Sequence, residues 1–158
     1  MLQYDFENSI GFWIFSAAHE LTRVMNEELA EHGITFRQWQ VLAWLSFLGE
    51  VSQSEVADNM GIEAPTLVGV LDRMERDGWI ERVTDPKDRR RKIIRPTERV
   101  EPVWAKMVEC AMRVRQRATR GLTAEQLADL QSTLASVKAN FADRRAEKAA
   151  PAAAADRN

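Results

Sequence analysis

Cysteine occurs once among the 158 residues, at Cys110, and histidine only twice, at His19 and His32. A single cysteine excludes a disulfide framework within the chain. Cys110 and two histidines fall short of a typical structural zinc tetrahedron unless acidic side chains help, so no metal site is expected. Apolar runs of about 18 residues are missing, and with them any sign of a transmembrane helix. The first residues, MLQYDFENSIGFWIF, carry acids where a secretory signal needs lysine or arginine, and no A-x-A site follows, so cytoplasmic residence is expected. Proline (5) and glycine (7) are too sparse for a turn-rich all-β protein. There is no excess of basic charge either: 22 Lys and Arg stand against 24 Asp and Glu, a net charge of −2. That balance rules out a uniformly basic protein but leaves room for a local basic patch. G-x-S-x-G, H-E-x-x-H and phosphate-loop patterns are all absent, so no enzyme is expected.

Apolar residues make up 45% and charged residues 29%, which is ordinary for a globular chain of about one domain with an appended arm. Helical periodicity dominates. Ile10, Trp13, Ala17, Leu21, Val24 and Leu29 predict a first helix from about Ser9 to His32, closed by Gly33. Thr35 and Gln38 form a capping box that opens a second helix, with Trp39, Leu42, Leu45 and Leu48 on one face. Ser52 and Glu55 open a short third helix, which Gly61 breaks. Pro65 suits the start of a fourth helix, whose buried stripe is Leu67, Val70, Leu71 and Met74. Trp79–Thr84 and Arg91–Arg95 flank a polar turn and read as a β-hairpin. Thr97 is expected to cap a fifth helix carrying Val103, Met107, Ala111, Val114 and Ala118. Thr123 and Gln126 open a sixth, with Leu127, Leu130, Leu134, Val137 and Phe141 in a rhythm suited to helix pairing.

Two short helices joined by a glycine-containing turn, then a hairpin, have the layout of a winged helix-turn-helix. The fourth helix turns Pro65, Gly69, Asp72 and Arg76 outward, flanked by Thr66 and Arg73. The hairpin crowds Lys87, Arg89, Arg90, Arg91, Lys92 and Arg95 into one segment beside Asp88. An isolated basic run is most often a solvated turn. Directly after a helix-turn-helix it reads as a site for phosphates, with an arginine able to enter a narrow minor groove. A winged helix that binds proteins without specific DNA binding is the alternative, and it predicts a neutral or acidic wing. The apolar faces of the first and last two helices exceed what one small core can cover. A homodimer buries them and sets two recognition helices ~34 Å apart on a pseudo-palindromic duplex.

The stretch GIEAPTLVGVLDRMERDGWIERVTDPKDRRRKIIRPTERV resembles the DNA-binding core of the MarR transcription regulators, most closely their SlyA-like branch. Ile34-Thr35-Phe36-Arg37-Gln38-Trp39 is similar to the start of the family's second helix, and the likeness runs from about Ser9 to Phe141. The resemblance implies a mainly α fold with a small β-wing and a helical dimerisation region. Its expected parts are an N-terminal dimerisation helix (1–34), the winged helix-turn-helix (35–96), C-terminal dimerisation helices (97–146) and a disordered tail (147–158). It implies a sequence-specific transcriptional regulator, expected to be a repressor. Arg90 of the family's D-x-R pattern would enter the minor groove, Asp88 would brace the wing, and Arg89 would add a groove or phosphate contact. Ala64, Pro65, Thr66 and Gly69 would approach bases or phosphates and Arg73 the DNA backbone, while Ser52, Gln53 and Ser54 would meet phosphate. Gly69 departs from the SlyA-like pattern, in which a long basic side chain is common. A small aromatic or phenolic acid is the implied effector, with Trp13, His19, Arg23, Phe36, Trp39 and Met107 as pocket residues; no other cofactor is expected. A redox sensor of this family would carry its cysteine near the start of the first helix, so Cys110 is expected to be a small buried hydrophobe.

Overall fold

The computed structural model describes residues 4–149, with side chains through residue 141. Two compact units divide the chain between Ala118 and Thr119. The first contains α1 (Ile10–Leu29), a 3-10 turn (Ala30–His32), α2 (Phe36–Leu48), β1 (Val51–Ser52), α3 (Gln53–Met60) and α4 (Ala64–Arg76), followed by β2 (Ile80–Thr84), β3 (Lys92–Pro96) and α5 (Glu101–Ala118). The second contains α6 (Ala124–Ala149).

Local chemistry sets most boundaries. The Ser9 hydroxyl accepts the Phe12 N–H at 3.3 Å and starts α1. Both expected capping boxes at α2 and α3 form, each with a side chain and a backbone N–H exchanged in both directions. Gly61 turns the chain out of α3 in the left-handed region, at φ 64°, where a side chain would be strained. The third box also forms, with Gln126 accepting the Thr123 N–H at 2.9 Å at the start of α6.

The core of the first unit runs through every helix of that unit. Leu29, Leu42, Leu67, Leu71, Met74, Ile80, Ile94 and Met107 are its largest fully buried side chains. Central strand β3 pairs antiparallel with β2 on one side and β1 on the other. Ile94 lies opposite Val51 and Arg82, and Ile93 opposite Ser52 and Val83. The short strand β1 is an addition to the expected two-stranded hairpin, since two residues are too few to show an alternating pattern.

Other differences have physical reasons. Thr97 does not cap α5. Its hydroxyl donates to the Gly78 carbonyl at 2.6 Å, a turn follows, and α5 starts at Glu101. The first helix gives way to the 3-10 turn at Ala30. Its expected stripe is buried only toward the C-terminal end: Leu29 is inside, while Ile10, Trp13 and Leu21 are exposed. The helix α6 carries through Ala149, so 147–149 of the expected tail are helical. The rest of that tail lies outside the described residues.

Candidate nucleic-acid interface

Helices α3 and α4 are joined by Gly61, Ile62 and Glu63, and α4 begins with Ala64, Pro65 and Thr66, all exposed. Leu67, Val70, Leu71 and Met74 anchor its opposite face in the core. Gly69 is partly exposed, and a Cβ placed there would lie 3.7 Å from Arg73 Nη1. The Arg73 guanidinium therefore lies beside Gly69, at a distance that is ordinary van der Waals contact for an added Cβ. Arg73 makes no ion pair among the described residues. A departure that seemed to remove a basic contact thus sits under a basic group one turn later, a relation that depends on rotamer and left no sequence signal.

Ser52 takes up the capping role that its pairing with Glu55 predicts. It is buried, its hydroxyl accepts the Glu55 N–H at 3.3 Å, and the same oxygen lies 2.7 Å from Glu55 Oε2 and 3.0 Å from Ser54 Oγ. That hydroxyl is committed to capping α3. Ser54, exposed, and Gln53, half-buried, remain at the start of the helix.

The basic residues of the hairpin divide into two groups. Arg91 pairs with Glu55 of α3 and lies 3.8 Å from Asp85, while Arg95 pairs with Glu50 in the turn before β1. On β2, Arg82 reaches Asp72 at 2.7 Å and Glu75 at 2.6 Å, tying the sheet to α4. These three arginines pin the wing to three different parts of the lobe. Burial disfavours the Arg82 cation, but the hydrogen bonds it donates to the Asp72 and Glu75 carboxylates outweigh it and raise its pKa. In contrast, Arg90 is 94% exposed, with only a 3.5 Å approach to Asp88. Exposed Lys87 and Arg89 make no ion pair among the described residues, and Lys92 donates to Thr84 Oγ1 at 2.8 Å.

Two aspartates shape the tip. Asp88 Oδ1 accepts the Arg90 N–H at 3.0 Å, and its carbonyl accepts the Arg91 N–H at 2.9 Å. Asp85 is buried, and its carboxylate accepts the Lys87 N–H at 2.8 Å. Sequence reasoning missed Asp85, Glu55 and Glu50 as partners of the basic run. The D-P dipeptide at Asp85-Pro86 was the available signal for the first; the other two lie far away in the chain.

The six expected effector residues fall into two sets: Phe36 and Trp39 pack against the core that contains Met107, while Trp13, His19 and Arg23 lie on the exposed surface of α1. Trp13 is exposed, with its indole N–H on the Glu7 carbonyl at 3.1 Å. His19 is exposed, and Arg23 is held by Glu20 and Glu27. Phe36 and Trp39 stack at 6.0 Å, and Met107 is fully buried. A cavity of about 410 Å³ lies elsewhere, lined by Leu42, Leu45 and Ser46 of α2, the Pro96–Glu98 segment, and Val100, Glu101 and Trp104.

The MarR family model matches residues 32–91, which span the helix-turn-helix and most of the hairpin. The structure of the transcriptional regulator PA4135 is 31% identical, covering 82% of this chain and 96% of that one, with a TM-score of 0.72. The chain belongs to the MarR family. As a MarR-family member it is a DNA-binding transcription regulator. A mutant MarR from E. coli, solved in complex with operator DNA, is 26% identical over 81% of this chain and 92% of that one, with a TM-score of 0.72. The transcriptional regulator SlyA shares the fold at a TM-score of 0.80 and 23% identity, covering 87% of this chain and 96% of that one. No helix among the described residues is long and apolar enough to cross a membrane.

Glu55 gives this MarR-family lobe a pH-dependent joint. The Ser52 backbone N–H is the main cause of its lowered pKa, followed by the Ser52 hydroxyl, with Arg91 adding to them against a small opposing cost of burial. A depressed carboxyl stabilises the fold above its unfolded pKa and loses that effect as pH falls through its folded pKa. Glu55→Gln keeps the side-chain shape and removes the charge. In urea melts it should cost about 1 kcal/mol or less at pH 7, given the partial exposure of the pair. That difference should shrink as pH falls below about 4.3, the ordinary glutamate value. A difference that stays constant down to acid pH would rule out the charge as its source.

Proposed function

We propose that the protein acts as a homodimeric repressor on a pseudo-palindromic operator, with α4 in the major groove and the wing tip in the neighbouring minor groove. The observation that carries this reading is the division of the hairpin's bases: Arg91 and Arg95 are neutralised within the lobe, while Arg90, Arg89 and Lys87 are exposed at the tip. Pinned arginines fix the direction of the loop, and exposed ones supply the charge that phosphates and a narrow groove attract. In this reading Arg90 enters the groove, Asp88 holds the tip turn, and Arg89 contacts groove or phosphate. Ala64, Pro65, Thr66 and Gly69 face base edges or phosphates, Arg73 reaches the DNA backbone, and Gln53 and Ser54 meet phosphate. Repression follows from a dimer occupying DNA that a polymerase needs.

The dimer is supported by apolar side chains left in water. In the first unit these include Ile10, Trp13 and Phe15 of α1; in the second, Leu130, Leu134 and Phe141 of α6. A second copy is the occupant that would bury them. Release by a small aromatic molecule is supported by the cavity beside α2. Its apolar walls suit a ring, but Glu98 and Glu101 in its lining disfavour a carboxylate, so a neutral phenol fits better than an aromatic acid.

The direct test recovers bound fragments from a genomic DNA pool, with and without small aromatic compounds, and then measures affinity for one recovered site against scrambled DNA. Arg90→Ala should weaken specific binding by about 1–3 kcal/mol per half-site and leave the melting temperature unchanged. Asp88→Ala removes a negative charge, so electrostatics alone predicts tighter binding; the turn-holding role predicts weaker binding. Tighter binding with full sequence preference would eliminate that role.

Assembly has its own test. Leu134→Glu places a charge in the proposed dimer surface and should shift sedimentation to a monomer, or give insoluble protein. A soluble monomer that still binds operator DNA at full affinity would contradict the homodimer.

A further inference from the structure

His32 ends the 3-10 turn after α1, and its side chain is nearly buried against α5. Its Nε2 lies 3.5 Å from Sγ of the buried Cys110 and 3.4 Å from Oε1 of the exposed Glu31. The three ligand atoms all fall within 4.8 Å of one another. Zinc–sulfur bonds of ~2.3 Å and zinc–nitrogen or –oxygen bonds of ~2.0–2.2 Å, set at the tetrahedral angle, give ligand-to-ligand edges of ~3.3–3.6 Å. Two of the three edges already have that length, before any cation draws the groups together. The count of cysteines and histidines argued against a zinc site unless an acid took part; the fold supplies that acid.

We propose that Glu31, His32 and Cys110 bind one thiophilic divalent cation of the zinc class, with water in the fourth position. A thiolate and a carboxylate neutralise the dication, and neutral imidazole completes the protein set. Arg113 lies 3.2 Å from Cys110 Sγ, and its charge is balanced by Glu28 at 2.9 Å. Arg117 is drawn to the same carboxylate at 3.8 Å. A solvent-open cleft lined by Glu27, Glu28, Glu31 and Arg113 adjoins the cluster at Glu31; Glu27 and Glu28 there are already paired with arginines, which leaves Glu31 as the lining acid that no arginine holds. All three ligands belong to the first unit, and the cation would clamp the 3-10 turn to α5. Through Gly33 and Ile34 that turn leads directly into α2, so the clamp acts on the segment that enters the DNA-binding lobe.

The test titrates cobalt(II) into reduced, metal-free full-length protein and displaces it with zinc. One equivalent per chain should produce a thiolate-to-cobalt charge-transfer band together with the intense visible bands of tetrahedral cobalt. Cys110→Ser should abolish the charge-transfer band. Glu31→Gln alters only an exposed side chain, so it should fold as the parent does and weaken zinc binding at least tenfold against a fluorescent chelator. His19→Gln should leave both readouts unchanged. No saturable cobalt band, or zinc affinity equal in the parent, Cys110→Ser and Glu31→Gln proteins, would overturn the site and leave only loose binding to surface carboxylates.

Discussion

One carboxylate oxygen, Glu55 Oε2, accepts the Ser52 N–H and hydroxyl, each at 2.7 Å, and also receives the Arg91 guanidinium. It therefore starts the first helix of the helix-turn-helix and fixes the return strand of the wing. The direction of the wing relative to α3 depends on this joint. Arg82, bound to Asp72 and Glu75, makes the corresponding joint from β2 to α4, and Arg95 with Glu50 makes one from β3 to the turn before β1. Surface ion pairs contribute little individually to stability. Their value here is directional: three fixed points on a short hairpin restrict where its exposed arginines can go.

The same arrangement explains why an acidic chain can serve as a DNA-binding protein. Its carboxylates are not spread evenly against its bases. Glu50, Glu55, Asp72 and Glu75 are spent inside the lobe on arginines that hold it together, so the bases at the tip keep their charge for phosphate. Net charge says little in such a case, because long-range repulsion is screened over about 10 Å in ordinary salt while the contacts themselves are close.

Legibility from the sequence followed the range of the interaction. Capping boxes at Thr35, Ser52 and Thr123 are four-residue patterns, and each could be read and each formed. The stripe of α4 could be read because helical periodicity repeats along it. The Thr97 cap was misread because its hydroxyl is taken by Gly78, 19 residues earlier in the chain. The pairing of Arg91 with Glu55 spans 36 residues and Cys110 meets His32 across 78, distances over which no local pattern carries information. Hence the basic run was visible as charge, but its division into pinned and exposed arginines was not. The buried role of Ser52 was half-visible: the capping box was there to read, and a hydroxyl bound in a cap has little left for a phosphate.

That division is the central claim, and the salt dependence of operator affinity tests it most directly. With about six phosphate contacts across a dimer, the plot of log affinity against log salt should have a slope near −5. Arg90→Ala should make that slope shallower by about 2, because each protomer then brings one cation fewer to the duplex and releases fewer counterions from it. Arg95→Ala, which removes an arginine already neutralised by Glu50, should leave the slope unchanged even if it loosens the wing. An equal flattening of the slope by Arg90→Ala and Arg95→Ala, or a parent slope near zero, would contradict the account.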